Sequence, residues 1–195
     1  LNRYFREEGG WNSHIDNCHR FILNEINREK PKNILVLGSG WLLDFPIDSE
    51  EWKDVNITLV DIYHPRQIQH KINKMQNVQL LEADITEGLI ENVFKWVQEG
   101  RKAGKNPDIL ELGIPEITFH KDYDFVISLN VLSQLDTLVV DYVNKFWKFS
   151  DEELEKFRGS IQAAHIKIFH STPGILISDI SELQKDKKGV IVNEK

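Results

Sequence analysis

The stretch "NILVLGSGWLLDFPID", residues 33–48, decides the fold class of this chain. Residues 34–37 form a short, wholly apolar run of the kind that is buried on both faces of a parallel sheet. The turn Gly38-Ser39-Gly40 follows at once, and its glycines let the backbone bend sharply and let a ligand approach the main chain. Trp41 and Pro46 come where a helix normally begins, and proline interrupts a helix. The stretch predicts a buried strand that ends in a ligand-binding turn.

Further apolar runs repeat this pattern along the chain and alternate with amphipathic segments. The predicted strands cover 34–37, 56–62, 78–84, 123–132 and 174–180. The predicted helices include 11–30, 65–75, 87–104, 136–149 and 151–170. The alternation predicts right-handed crossovers, with a helix between successive strands. The expected fold is therefore α/β: a three-layer, Rossmann-like, mostly parallel sheet with helices on both faces.

The end of the chain predicts truncated or atypical last strands. Residues 181–195 follow the fifth predicted strand and contain a single apolar run, "GVIV". An incomplete sheet edge exposes backbone groups that can pair with another chain. A homodimer through this edge is a further expectation.

Length and composition limit the class of protein. The 195 residues suit one domain, which we divide into a helical lid or cap at 1–30 and a Rossmann-like domain at 31–195. A net charge of -7 argues against a nucleic-acid partner, because phosphate contacts need clustered Lys and Arg. Cys18 is the only cysteine, which excludes an intrachain disulfide and fits a reducing compartment. Because no apolar run approaches the roughly 20 residues that span a bilayer, we expect a cytoplasmic protein with no membrane partner.

Polar residues follow four of the predicted strands, where a parallel sheet of this kind binds its ligands. They are the Gly38–Gly40 turn, Asp61, Asp84 and Asn130. Each has a structural alternative: Gly-X-Gly alone is a weak signal, Asp61 fits a turn, Asp84 a helix N-cap and Asn130 a loop hydrogen bond. Four such residues at successive strand ends favour a nucleoside site.

This arrangement resembles the class I S-adenosylmethionine-dependent methyltransferases over most of the chain, from Pro31 to Ile180. The segments "ILVLGSG", "LVDI", "LLEADI" and "YDFVISLNVLSQL" are similar to the first four motifs of that family. The resemblance implies S-adenosylmethionine as cofactor and S-adenosylhomocysteine as product. It places the glycine turn beside the methionine part, Asp61 at the ribose, Asp84 and Ile85 at the adenine, and Asn130 near the methyl group. The implied cofactor-binding residues are Leu37, Gly38, Ser39, Gly40, Asp61, Ile62, Asp84, Ile85, Asn130 and Val131.

Two positions depart from the first motif of the family. An acid usually stands where this chain has Val36, and a third glycine usually stands at Leu42. Asp44 or the N-terminal segment is the candidate to replace the missing acidic contact with the cofactor amine. The departures keep open a second hypothesis, in which the domain is a cofactor-binding or regulatory module without activity.

A third hypothesis is an NAD-dependent oxidoreductase. A dinucleotide rests its pyrophosphate on the N-terminus of the helix after the glycine turn. Here the turn is followed by Pro46 and, before the first basic residue, by four acids: Asp44, Asp48, Glu50 and Glu51. Carboxylates repel a pyrophosphate but attract the sulfonium and ammonium groups of S-adenosylmethionine. The charge pattern therefore favours the methyl donor.

The acceptor and the catalytic groups are less defined by the sequence. Methyl transfer depends mainly on in-line positioning, so no catalytic residue is predicted and a small-molecule acceptor is expected from the loop "NVLSQL". The N-terminal segment predicts a lid hinged at Gly9-Gly10. The candidate acceptor-pocket residues are Tyr4, Trp11, His14 and Gln134, with Phe5 beside them. For Trp11 and His14 the alternative roles are core packing and surface exposure.

No metal site is predicted from the sequence. His14 and His19 are five residues apart and do not share a helix face well. The chain has neither a cysteine pair nor the His-Glu-X-X-His pattern of many zinc enzymes.

Overall fold

The computed structural model describes residues 11–104, 107–179, 183–185 and 191–194. The strands are β1 (Asn33–Leu37), β2 (Asn56–Asp61), β3 (Val78–Glu82), β4 (Phe125–Leu129), β5 (Gly174–Ile177), β6 (Leu183–Lys185) and β7 (Ile191–Glu194). The helices are α1 (Asn12–Glu29), α2 (Arg66–Ile72), α3 (Leu89–Ala103), α4 (Thr137–Val143), α5 (Asp151–Ile166) and α6 (Ile168–Ser171).

Strands β1 to β5 form one parallel sheet in the order β3-β2-β1-β4-β5. The predicted Rossmann-like fold is confirmed. The register is the reason that the strand ends meet: Leu37 pairs with Val60 on one side and with Ser128 on the other. The residues that follow these strands therefore emerge together, and the strand order reverses between β1 and β4, where such folds bind their ligands.

The apolar run of β1 contributes to both sides of the sheet, because successive side chains point to opposite faces. Ile34 and Val36 pack in a core cluster with α1 and α2. Leu35 and Leu37 belong to a separate cluster with Ile168 of α6. The helices α3, α4 and α5 pack around a further cluster, which Leu135 joins to that of Leu35 and Leu37.

The crossover from β1 to β2 differs from the prediction of a helix between successive strands. Residues 38–55 are all described and contain no α-helix, only a 3-10 turn at Glu50–Trp52. Pro46 accepts a hydrogen bond at its carbonyl from Trp52 Nε1 (2.6 Å), and Phe45 stacks on the Trp52 ring at 5.0 Å. Buried aromatic side chains thus cover this part of the sheet in place of a helix.

The end of the chain is atypical, as predicted. Strands β6 and β7 pair antiparallel with each other in a separate two-stranded sheet. The homodimer expected at this end stays a prediction. None of the helices in the described ranges combines the length and hydropathy needed to cross a membrane.

Candidate functional site

A cavity of about 350 Å³ opens at the carboxyl edge of the sheet, beside the ends of β1 and β4. This volume lies in the range of small-ligand pockets, roughly 300–1,000 Å³. Residues following four different strands line it, although they are far apart in the sequence. Of the residues predicted to bind the cofactor it is lined by Gly38, Ser39, Gly40, Asp61, Ile62, Asp84, Ile85, Asn130 and Val131. Leu37 is the exception, because it is fully buried in the sheet.

Gly38 is the first residue of the glycine turn, and no side chain fits at its position. Its φ of +77° lies in the left-handed region. A Cβ at this position would stand 2.2 Å from Val131 Cγ1 and 2.5 Å from the Leu129 carbonyl oxygen. The Gly38 amide donates to the Val60 carbonyl at 2.9 Å. A glycine is therefore required where the ends of β1, β2 and β4 approach one another.

Asp61 joins the end of β2 to the glycine turn. Its Oδ2 accepts a hydrogen bond from the Gly40 amide at 2.8 Å, and the residue is half-buried at the cavity wall. A carboxylate offers about four acceptor positions. Asp61 therefore retains acceptor capacity for a ligand hydroxyl.

Asp84 organises the loop before α3. Its Oδ1 accepts from the amide and hydroxyl of Thr86, at 2.9 and 2.5 Å, and its Oδ2 lies 3.2 Å from the Gly88 amide and 3.4 Å from the Ile90 amide. The N-cap residue of α3 is Gly88 and not Asp84, which instead holds the preceding loop together and also lines the cavity. Its recognition of adenine stays a prediction. It would require Asp84 Oδ2 to lose its hydrogen bond to the Gly88 or Ile90 amide.

Asn130 occupies a strained position directly after β4. Its φ of +53° is uncommon outside glycine, although asparagine adopts it more readily than most residues. Its Nδ2 donates to Asp44 Oδ2 at 2.8 Å, and its main-chain carbonyl accepts from Gln134 Nε2 at 2.8 Å. The buried Oδ1 has no hydrogen-bond partner among the described residues. Such strain persists where the surroundings hold it, which is common at ligand sites.

The structure gives a physical account of the two departures from the family motif. Val36 is fully buried in the apolar cluster beneath α1, so an acid there would lie in the core. Leu42 adopts the left-handed conformation that a glycine would prefer, with φ of +56°, and is only 8% exposed. Burial of the leucine side chain offsets the backbone strain. Asp44, the candidate replacement acid, lines the cavity.

A buried hydrogen bond joins the Gly38–Gly40 turn to the loop after β2. Ser39 Oγ and His64 Nε2 lie 2.9 Å apart, and His64 is fully buried. Burial lowers the pKa of His64, while the nearby charges of Asp61 and Glu82 act in the opposite direction. The sequence patterns did not indicate His64, because a histidine three residues after Asp61 fits no motif.

The cavity lining is acidic. The described residues that line it include Asp44, Asp61 and Asp84 but no lysine or arginine. The further lining residues missed by the sequence analysis are mostly apolar: Trp41, Leu42, Leu43, Ala83, Thr86, Ile90, Leu129, Leu135 and Leu138. Those that lie in loops, such as Trp41, Leu43 and Thr86, carry no periodic signal, so only their position after a strand could have indicated them. The cavity suits a ligand with a flat apolar part and a positive charge.

The predicted acceptor residues are only partly brought to the cavity. Gln134 lines it, whereas Tyr4 lies outside the described residues. His14 does not line the cavity but places Nε2 at 3.3 Å from Asp44 Oδ1. Trp11 packs edge-on against the His14 ring, with centroids 5.8 Å apart. Cys18, one turn further along α1, lies 3.5 Å from the same Nε2, and burial followed by the Asp44 charge raises the pKa of its thiol.

A scan against models of protein families finds none that matches this chain, and a search of curated proteins finds no significant match.

Proposed function

We propose that this protein binds S-adenosylmethionine at the carboxyl edge of the sheet and transfers its methyl group to a small-molecule acceptor. The observation that carries the proposal is the convergence of the Gly38–Gly40 turn, Asp61, Asp84 and Asn130 around one acidic cavity. In the sequence these residues follow four predicted strands and are similar to methyltransferase motifs, and in the fold they line one cavity.

The crossover after β1 favours a methyl donor over a dinucleotide. A pyrophosphate needs the positive end of a helix or basic side chains. Residues 38–55 provide no α-helix, and the described lining provides three carboxylates without a lysine or arginine. S-adenosylmethionine carries no phosphate and has two cationic groups, so the same carboxylates attract it.

Each end of the cofactor has a matching part of the cavity. Asp61 has spare acceptor positions for the ribose hydroxyls, since its main contact is the Gly40 amide. Ile62 and Ile85 supply apolar surface for the adenine ring. Asn130 and Asp44 lie at the end assigned to the methionine part, where the anionic carboxylate faces the cationic groups. The protein then acts mainly by aligning the acceptor with the methyl carbon in a site that excludes water.

The alternative of a binding module without turnover is supported by the two departures from the first motif, Val36 and Leu42. Turnover separates the two functions. An active enzyme produces S-adenosylhomocysteine with some member of a broad small-molecule acceptor panel, whereas a module binds the cofactor and yields no product with any of them.

The proposal is tested by calorimetric titration with S-adenosylmethionine, S-adenosylhomocysteine and NAD. We expect the first two to bind and NAD to bind far more weakly. In Asp61→Ala, loss of a charged hydrogen bond should weaken S-adenosylhomocysteine by about 1.5–3 kcal/mol, or roughly ten- to a hundredfold.

Asp54→Ala is the matched control, because Asp54 is an exposed acid before β2 and remote from the cavity lining. Its affinity should equal that of the unmodified protein. Equal affinity in Asp61→Ala would remove the ribose assignment. Tighter binding of NAD than of S-adenosylhomocysteine would replace the methyl donor with a dinucleotide.

A further inference from the structure

Three side chains with metal-binding atoms meet beside the cavity. His14 and Cys18 lie four residues apart on α1 and so share one face of the helix. Asp44 reaches them from the loop after β1. One ligand atom from each residue lies within 4.8 Å of the other two.

The distances from His14 match those between two ligands of one tetrahedral zinc ion. Zinc binds nitrogen and oxygen at about 2.0–2.2 Å and sulfur at about 2.3 Å, which gives tetrahedral edges of about 3.4 Å for N···O and 3.5 Å for N···S. The observed distances are 3.3 Å from His14 Nε2 to Asp44 Oδ1 and 3.5 Å to Cys18 Sγ. The third edge, between Cys18 Sγ and an Asp44 carboxylate oxygen, is no longer than 4.8 Å.

A single hydrogen bond at His14 Nε2 accounts for only one of its two contacts. A protonated Nε2 can donate to Asp44 but then has no lone pair for the Cys18 thiol. An unprotonated Nε2 can accept from the thiol but then faces a carboxylate oxygen with its lone pair. A single cation placed between the three atoms accepts a lone pair from each of them.

The groups around the three ligand atoms also favour a bound ion. Asn130 Nδ2 donates to Asp44 Oδ2, which fixes the carboxylate and leaves Oδ1 directed at His14. Ligating carboxylates are commonly held in this way by a neighbouring donor. The side chains of His14 and Asp44 are 39% and 23% exposed, so the ion can enter from solvent.

We propose that His14 Nε2, Cys18 Sγ and Asp44 Oδ1 bind a divalent zinc ion, with the fourth position open to water or another ligand. Zinc accepts nitrogen, sulfur and carboxylate oxygen ligands, and three protein ligands with one open position are the pattern of catalytic zinc sites. The two positive charges of zinc are balanced by the Cys18 thiolate and the Asp44 carboxylate. The bound ion and its ligands are therefore neutral together and do not repel a cationic ligand in the neighbouring cavity. The zinc site shares Asp44 with the methyl-transfer proposal, but it is tested without any cofactor.

The test is a cobalt(II) titration of the full chain after treatment with a chelator. Since Cys18 is the only cysteine, any thiolate-to-cobalt charge-transfer absorption must arise from this site. We expect the absorption to saturate at one cobalt per chain and to disappear when one equivalent of zinc is added. Zinc should also raise the melting temperature, because it binds the folded chain.

Two variants and a control complete the test. Cys18→Ser should abolish the charge-transfer band. Loss of a group that supports a metal ligand costs roughly ten- to a hundredfold in affinity, so loss of a ligand itself, in Cys18→Ser or His14→Gln, should weaken zinc by roughly a hundredfold. His70→Gln, at an exposed histidine of α2, should bind like the unmodified protein. Absence of the charge-transfer band in the unmodified protein, or unchanged zinc affinity in both variants, would overturn the site. Both outcomes can be read without any cofactor present, so they are distinct from failure of the methyl-transfer proposal.

Discussion

Two regions of the molecule each bury a serine–histidine pair, and the pairs differ in what surrounds them. At the carboxyl edge, Ser39 and His64 are 2.9 Å apart and support the cavity turn. In the α5 contact with β4, Ser128 and His165 are 2.8 Å apart and lie away from the cavity lining. The same two residue types thus support a candidate ligand site in one place and interior packing in the other.

The electrostatic surroundings separate the two pairs further. Burial lowers the pKa of both histidines, to about 4 for His165, where burial is the sole cause. At His64 the charges of Asp61 and Glu82 oppose the effect of burial. The carboxyl edge therefore keeps acids beside a buried histidine, whereas the α5 contact does not. Charges and strained backbone kept at one edge are expected where a ligand binds.

The largest expected difference between the regions is the change in the free energy of unfolding when one glycine of each is replaced by alanine. Gly38→Ala forces a side chain into a left-handed residue and against Val131 and the Leu129 carbonyl. Backbone strain and overpacking together should lower the free energy of unfolding by about 4 kcal/mol. Chemical denaturation measures this loss.

Gly159→Ala in α5 is the matched control. Gly159 is exposed, and an added Cβ would meet no atom within 4 Å. Alanine should raise the free energy of unfolding by about 1 kcal/mol, because it is the better helix former. Equal effects of the two substitutions would show that the close approach at the turn is not rigid.

The dependence of stability on pH should also distinguish the two regions, because burial strongly lowers the pKa of His165. Its pKa is near 4 in the folded protein, against an ordinary value of 6.5, so the unfolded chain binds the extra proton between these pH values. The stability present above pH 6.5 should fall as the pH is lowered towards 4, by about 3 kcal/mol for this group. Denaturation at a series of pH values, with an NMR titration of the His165 ring, measures both quantities.

His165→Gln removes this contribution, so the free energy of unfolding should fall less steeply between pH 6.5 and pH 4. His170→Gln, at an exposed histidine just beyond α5, should leave the slope unchanged. A His165 ring that titrates near 6.5 in the folded protein contradicts the expectation, because a solvated ring would carry no folding penalty on protonation.

The sequence predicts the fold and the position of the site better than the contacts within it. The strand of residues 34–37 and the polar residues after the strands are local patterns, and parallel register brings those residues to one edge. The contact between His14 and Asp44 joins segments 30 residues apart, and nothing in either segment specifies the other. Long-range polar contacts of this kind depend on how the helix packs, which periodicity does not encode.

The crossover after β1 shows a different limit of sequence interpretation. Pro46 correctly indicates an interrupted helix, but the alternation of elements still predicted one between β1 and β2. The positive φ of Leu42 could not be expected either, since leucine avoids that conformation. In the first case the local signal of Pro46 agrees with the structure, and buried Phe45 and Trp52 take the place of a helix. In the second, burial of the Leu42 side chain outweighs local preference.

The smallest effects come from the serines of the two pairs and distinguish the regions most directly. Ser39→Ala and Ser128→Ala each leave a buried imidazole nitrogen without its partner, which should lower the free energy of unfolding by about 1–3 kcal/mol in both variants. Only Ser39 belongs to the cavity turn, so only Ser39→Ala should also weaken S-adenosylhomocysteine, by a few fold. Denaturation and calorimetry on the same preparations give both quantities. If Ser128→Ala weakens the ligand as much as Ser39→Ala does, the α5 contact is coupled to the cavity through β4, and the two pairs serve one site.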